Sequence, residues 1–414
     1  MCFAAPTNAD GKARSWFPWL ACTTSQTSIG IRFLCLILFI SHKFNQCCLV
    51  TGVQDNRMSA MQQFTSVQAF DAAETGMRSA AALIAEIGRR SGEFPVCLAN
   101  HLPMVLEAMV QLGASSARLE EYADHYIRVH AVPFPPPAVS PLDEASWENH
   151  LGDREREADL RLFFAGVVRE IGGRAAVRRY VPILAPGVAA SATHGLMRLA
   201  YALMRSDDTE VANALGFWAA TYLYYNGIPD DRIATETDPL AHLLAMRDES
   251  VFHNVEAPTH LLWKWIEAMG KIPAFQDRLG RLVDTPEFLE QIRPASLLLY
   301  SSSMSFEALH AVTGCHWLRL VSPHLDKPQQ LAVHFWEVVL ALYTKIGMPL
   351  PPSPDVIAAW RVLPLPDDRE IAAAAVASDD EHDHSLVFSA FEEYRHTGDR
   401  LYKVVAARRV GLIA

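Results

Sequence analysis

Cysteine is scarce over most of this 414-residue chain. Five of its seven cysteines are Cys2, Cys22, Cys35, Cys47 and Cys48, which leaves only Cys97 and Cys315 beyond residue 57. Two isolated thiols build neither a disulfide framework nor a paired Cys-x-x-Cys metal site, and that scarcity fits a reducing cytoplasm. Positive charge is short as well. The formal net charge is −11 with no Lys/Arg cluster to offset it, so nucleic acid is excluded as a partner. The apolar run Ile29–Ile40 covers 12 residues and contains Arg32, short of the roughly 20 that span a bilayer, and no membrane role is expected for the main body. Also missing are a Gly-x-Gly-x-x-Gly after a strand, a phosphate loop, a Gly-x-Ser-x-Gly elbow and a His-Glu-x-x-His pair. Their absence removes the conventional nicotinamide and flavin folds, the serine hydrolases and the common zinc proteases.

The first 57 residues differ from the rest. Their charge is +3, against −14 for the remainder. A basic stretch before a short apolar run can be a secretory signal, yet no clear small-residue cleavage site follows it. The preferred expectation is a misplaced start, with Met58 or Met61 as the true first residue; a signal or an anchor is the alternative. The organisation read from composition is therefore an atypical extension over 1–57 and one main domain over 58–414.

From Ser59 onward the pattern is helical almost throughout. Phe70–Ile87 is rich in Ala, Leu, Ile and Glu, and Pro103–Leu112 places Met104, Leu106, Met109 and Val110 at helical spacings before Gly113. Residues 157–171, 196–205, 211–225, 260–270, 283–291, 305–312, 328–346, 354–360 and 385–406 read the same way. Few segments alternate with period two. Proline-rich linkers run from Val132 to Pro137 and from Met348 to Pro354, and Ser378–Glu381 reads as a capping box opening the last long helix. The expected fold is all-α: one large multi-helix domain with a proline-rich loop excursion near 132–152.

Chemistry-bearing residues stand out against this apolar helical background. His101, His194, His310 and His382 sit at the mouths of helical segments far apart in sequence. Imidazole is the usual side-chain ligand of a redox metal and the proton carrier near neutral pH. His101 shares the apolar face of its helix with Val105 and Met109. An unpaired imidazole there would be costly. His194 precedes Gly195 and aligns with Arg198 and Tyr201, a polar row suited to a substrate pocket. The blander readings are helix capping for His101 and His382, and a buried structural histidine for His310.

The segments Asn100–Met109, Pro186–Tyr201, Ala308–Gly314 and Ser378–His382, followed by Glu392–Tyr402, resemble the questin oxidase-like family in sequence and in order. The resemblance implies an all-helical oxygenase acting on aromatic polyketides, opening an anthraquinone ring in a Baeyer–Villiger-like oxidation with dioxygen and NADPH. It further implies non-haem iron, Fe(2+), held by four histidines and a carboxylated lysine. Carried over, the ligands are His101, His194, His310 and His382. The lysine position is Ser385 here, and a serine hydroxyl cannot replace an anionic oxygen donor. Asp383, Glu381 and His384 remain as substitutes. On this reading a free imidazole, His194 among the candidates, takes a proton from a phenolic substrate, and Arg198 stabilises the resulting oxyanion.

Other residues are weaker candidates. His260 and Lys264 are i,i+4 neighbours that a half-exposed helix also explains. His316 falls off the His310 face, and Phe217-Trp218 and His334-Phe-Trp336 read as core. The remaining histidines read as surface residues. Two rival functions stay open: a metal-free acid/base enzyme using the histidines, and a non-catalytic helical binder of aromatic ligands.

Overall fold

The helix Leu102–Gln111 lies between two apolar clusters, and that position organises everything around it. Met104 and Ala108 join the larger cluster; Leu102, Val105, Leu106 and Met109 face a smaller one with Leu119, Tyr122 and Tyr126 of the helix Ser116–His130. Each such side chain, fully buried, contributes about 1.5–3 kcal/mol. His101 immediately precedes this helix, so it stands at the seam between the clusters. The computed structural model describes residues 81–224, 233–257 and 259–414, all within the compact unit Arg57–Ala414. Among them are sixteen α-helices beside the helical stretch 81–87, short 3-10 turns and one hairpin of Glu93–Phe94 with Leu98–Ala99, paired antiparallel in the register Glu93↔Ala99 and Phe94↔Leu98. The fold is all-α. Among the described residues no helix is long and apolar enough to cross a membrane. The expectations for residues 1–57, and for most of Phe70–Ile87, lie outside the described residues; 81–87 are helical.

Close helix packing brings the distant segments together. The helix His194–Met204 packs on Asp208–Ala220, where a Cβ on Gly195 would come within 2.8 Å of Trp218 Cγ. The helix Phe306–Val321 packs on Pro328–Lys345, and a Cβ on Gly314 would collide with the Phe335 ring. Only glycine permits either approach. Phe217, Trp218, Phe335 and Trp336 are buried, as core residues should be. The expected loop excursion is present. Its anchor is Trp147, fully buried against Phe163, Phe164 and Tyr180.

Several boundaries differ from expectation for identifiable reasons. The helix expected over 283–291 is instead Phe288–Ser303, continuing past its internal Pro294. The stretch 385–406 is two helices, Glu381–Thr397 and Leu401–Arg409, broken at Gly398 in the left-handed conformation. The helix expected over 211–225 ends at Ala220, and that over 305–312 runs on to Val321. The capping box lies at Asp367 and Glu370, opening Asp368–Ala377; Glu381–Thr397 has the simpler cap of Asp380 accepting from the His382 backbone N–H. Five helices were unforeseen in the sequence: Ser116–His130 and Gly173–Leu184, which are strongly charged or carry an internal proline, and the shorter Pro239–Ala245, Pro273–Leu279 and Asp368–Ala377.

Candidate metal centre

Each of the four histidines is fixed by a hydrogen bond at Nδ1. His101 Nδ1 donates to the Ala99 carbonyl at 2.9 Å, His194 Nδ1 to the Ser191 carbonyl at 2.5 Å, and His310 Nδ1 to the Phe306 carbonyl at 3.0 Å. A carbonyl oxygen can only accept, so these rings carry their hydrogen on Nδ1 and present a bare lone pair at Nε2. His382 Nδ1 meets Asp380 Oδ1 at 3.0 Å. Although burial works against its ionisation, hydrogen bonds from His382 and the Arg409 charge hold the Asp380 carboxyl well below the usual carboxylate range. His382 Nε2 is buried without a partner. Carbonyl and carboxylate partners behind the ring are the usual arrangement for a metal-ligating histidine.

The rings converge. Centroids are separated by 4.3 Å for His101 and His194, 5.0 Å for His101 and His382, 5.6 Å for His194 and His310, and 5.8 Å for His310 and His382. A ligating nitrogen about 2.1 Å from a divalent ion puts the centroids of adjacent ligand rings about 4.5–5.5 Å apart. The observed circuit of four contacts has that scale. The two Nε2 atoms of His101 and His194 are 2.7 Å apart. Protonating one ring would reconcile them, yet burial, reinforced by the neighbouring imidazoles, holds His101 well below its ordinary value, and burial lowers His194 to about 4. Burial and the same neighbours depress His310 too. Neutral nitrogen donors at His101, His194 and His310, with His382 beside them in one cavity, are what a bound cation needs, so this donor set fits a divalent transition metal.

Local backbone explains how His194 is aimed. Ser191, Ala192 and Thr193 all have positive φ, at 45°, 57° and 72°. Three consecutive non-glycine residues in that region are strained, and such strain persists only where the surroundings impose it. Here Ser191 Oγ donates to Glu93 Oε1 at 2.7 Å, and Glu93 is held by Arg154 at 2.6 Å. The turn thereby points the Ser191 carbonyl at the His194 ring.

The four rings share a cavity of about 250 Å³ walled by Phe94, Leu98, Leu261, Leu262, Trp263 and Phe306, with Cys97, Glu381, His130 and His260 also facing it. His130 and His260 therefore belong to the pocket. The sequence pattern had placed one with surface residues and the other on a half-exposed helix, because neither has a distinctive neighbour. His101, Glu381 and His382 each bring a ligand-type atom within 4.8 Å of the others.

The structure separates the other expected residues from this cavity. Arg198 is buried, with Nε on Glu210 Oε1 at 2.6 Å and its guanidinium beside the Phe217 ring. It is absent from the cavity wall, so the oxyanion-stabilising role read from its alignment with His194 does not match its placement. Asp383 is bound by Arg409 and by Ser378. His384 turns towards Tyr122, its ring 5.0 Å away, and Ser385 is buried beside Tyr201. His316 faces Ser389, and His242, also expected at the surface, is buried against the Arg278 carbonyl. Lys264 pairs with Glu267 and lies over Trp263.

The family model for questin oxidase-like proteins matches residues 98–390. No curated protein matches the chain.

Proposed function

The chain belongs to the questin oxidase-like family, which makes it an oxidoreductase, and from that premise we propose that the four-histidine cavity is the active site of a metal-dependent oxygenase for aromatic substrates. The observation that carries the proposal is the shared tautomer: three rings spend their Nδ1 hydrogens on carbonyls and the fourth faces Asp380, which leaves the ε nitrogen of each ring for a ligand in the cavity the four rings share. His101, His194, His310 and His382 would hold the metal, for which iron, Fe(2+), is the choice the family resemblance favours. Such an ion supplies dioxygen binding and one-electron chemistry.

The chain's own residues do the rest. Phe94, Trp263 and Phe306 offer faces and edges on which a planar aromatic ring can lie. His130 and His260, in the wall and outside the four-ring circuit, are the imidazoles positioned to take the proton of a phenolic substrate. Burial lowers His130 from its ordinary value, so it is neutral and able to accept at pH 7. The apolar wall limits water and strengthens every charge interaction inside. The overall reaction proposed is Baeyer–Villiger-like: one oxygen atom enters beside a carbonyl, the other leaves as water, NADPH supplies two electrons and one proton as hydride, and solvent supplies the second proton.

The test is oxygen consumption by protein loaded anaerobically with ferrous iron, with NADPH present and hydroxylated anthraquinones and naphthols offered in turn. Substrate-dependent oxygen uptake that needs iron is expected. Turnover at full rate after chelation and without oxygen would transfer the site to metal-free acid/base chemistry; binding of the aromatics without turnover would make the protein a binder.

A further inference from the structure

Four imidazoles bring no negative charge to a divalent ion, inside a cavity walled mainly by apolar side chains. A carboxylate nearby would lower that cost greatly, since opposite charges interact strongly where water is excluded. Two carboxylates stand next to His382 in sequence, Glu381 and Asp383, and the structure distinguishes them. Asp383 is neutralised by the Arg409 guanidinium and accepts from the Ser378 hydroxyl. Asp380, one residue further back, is likewise divided between Arg409 and the outer nitrogen of His382. Glu381 alone lines the histidine cavity. Its side chain is 17 % exposed, and its nearest cationic-type atom is His101 Nδ1 at 3.8 Å, a nitrogen whose hydrogen is given to the Ala99 carbonyl. Among the described residues no hydrogen-bond donor reaches the Glu381 carboxylate. A largely buried carboxylate with no donor of its own, within 4.8 Å of ligand-type atoms of His101 and His382, becomes favourable with a cation among them.

We propose that Glu381 supplies the anionic oxygen ligand of the centre, completing a site of four imidazoles and one carboxylate. This rests on reading the cavity as a metal site. The helix start makes the arrangement feasible: Glu381 and His382 are the first two residues of Glu381–Thr397, so both side chains leave the backbone where the cavity begins. Ser385, one turn further along and buried beside Tyr201, has no part in the coordination.

Anaerobic titration of the full chain with ferrous ion, and of a parallel sample with cobalt(II) followed by its visible spectrum, tests this without reference to turnover. Wild type is expected to bind one equivalent of either ion. Glu381→Gln should bind at least tenfold more weakly, with a changed cobalt spectrum from loss of the anionic donor. Glu381→Asp, which keeps the charge and shortens the reach, should fall between, and thermal melts of the ion-free proteins show whether each variant is folded. An E381Q protein that binds with unchanged affinity and spectrum would overturn the assignment while leaving the four-histidine site intact. A wild type that binds neither ion would remove the metal site itself, and this assignment with it. Should E381Q fail to fold, an unchanged cobalt spectrum in E381D would count against the assignment.

Discussion

The Nε2 atoms of His101 and His194 face each other at 2.7 Å while both rings give their Nδ1 hydrogens to backbone carbonyls. Two lone pairs held that close repel, and protonation of either ring is opposed by burial. On the proposed reading a divalent ion would relieve the repulsion and bind only the folded chain. Ferrous ion added anaerobically at one hundred times its dissociation constant should stabilise wild type by about 2.7 kcal/mol. His101→Ala and His310→Ala should lose most of that gain. Calorimetric melts with and without metal make the comparison, and an equal gain in both variants would remove those two residues from the ligand set.

The strained turn before His194 yields a second expectation. Ser191→Ala removes the hydroxyl that ties the turn to Glu93, freeing the carbonyl that orients the ring. Groups behind a metal ligand are commonly worth 10–100-fold in affinity. S191A should therefore weaken metal binding about tenfold while the helices remain intact by circular dichroism.

Arg198 offers a contrast between structural and chemical roles. It and Glu210 form a buried pair at 2.6 Å, with side-chain exposures of 1 % and 6 %. Arg161 and Glu157 lie within the same charge network. Removing one partner of a buried pair typically costs about 3–5 kcal/mol, because the other charge is stranded. Glu210→Gln and Arg198→Met should each lower stability on that scale in urea unfolding. A stable R198M protein with selectively lost turnover would instead restore a role for Arg198 in the chemistry.

His316 provides a pH signature away from the metal ligands. It is fully buried, and burial, with the Arg319 charge adding to it, lowers it to about 3. The unfolded chain takes up this proton near 6.5 and the folded chain only near 3, so stability falls as pH drops through that interval. The slope for one such group is about 1.4 kcal/mol per pH unit. His316→Gln, which cannot take up the proton, should flatten the acid side of the stability profile between pH 6.5 and 4, even though losing the contact to Ser389 lowers stability at pH 7. An unchanged slope would show that the ring is not held neutral.

The exposed tip of the hairpin is a simpler case. Val96 and Cys97 adopt φ of 71° and 60°, and Val96 is 69 % exposed. A β-branched residue in this region costs about 1–2 kcal/mol. Val96→Gly should recover part of that as a higher melting temperature.

Much of this was legible beforehand where local rules act alone. The helices 157–171, 328–345 and 354–361 follow the predicted spans closely, since apolar periodicity and proline at the first turn are local signals. Phe288–Ser303 was misplaced because Pro294 reads locally as a break, and tertiary packing overrides it. His130 was missed, and His260 ranked only as a weak candidate, for a related reason: nothing in their neighbours records which segments from elsewhere in the chain wall the same cavity.

Composition and periodicity by themselves determined an all-α body, and four separated histidines in family order marked the candidate site, because helix formation and residue type are properties of short stretches. Which nitrogen of each ring faces inward, which carboxylate beside His382 remains unclaimed, and that Arg198 turns to Glu210 were decided only in three dimensions. Those outcomes depend on partners such as Ala99, Ser191, Arg409 and Glu210, and hydrogen bonds and charge pairs form between whatever the packed helices place within about 3 Å.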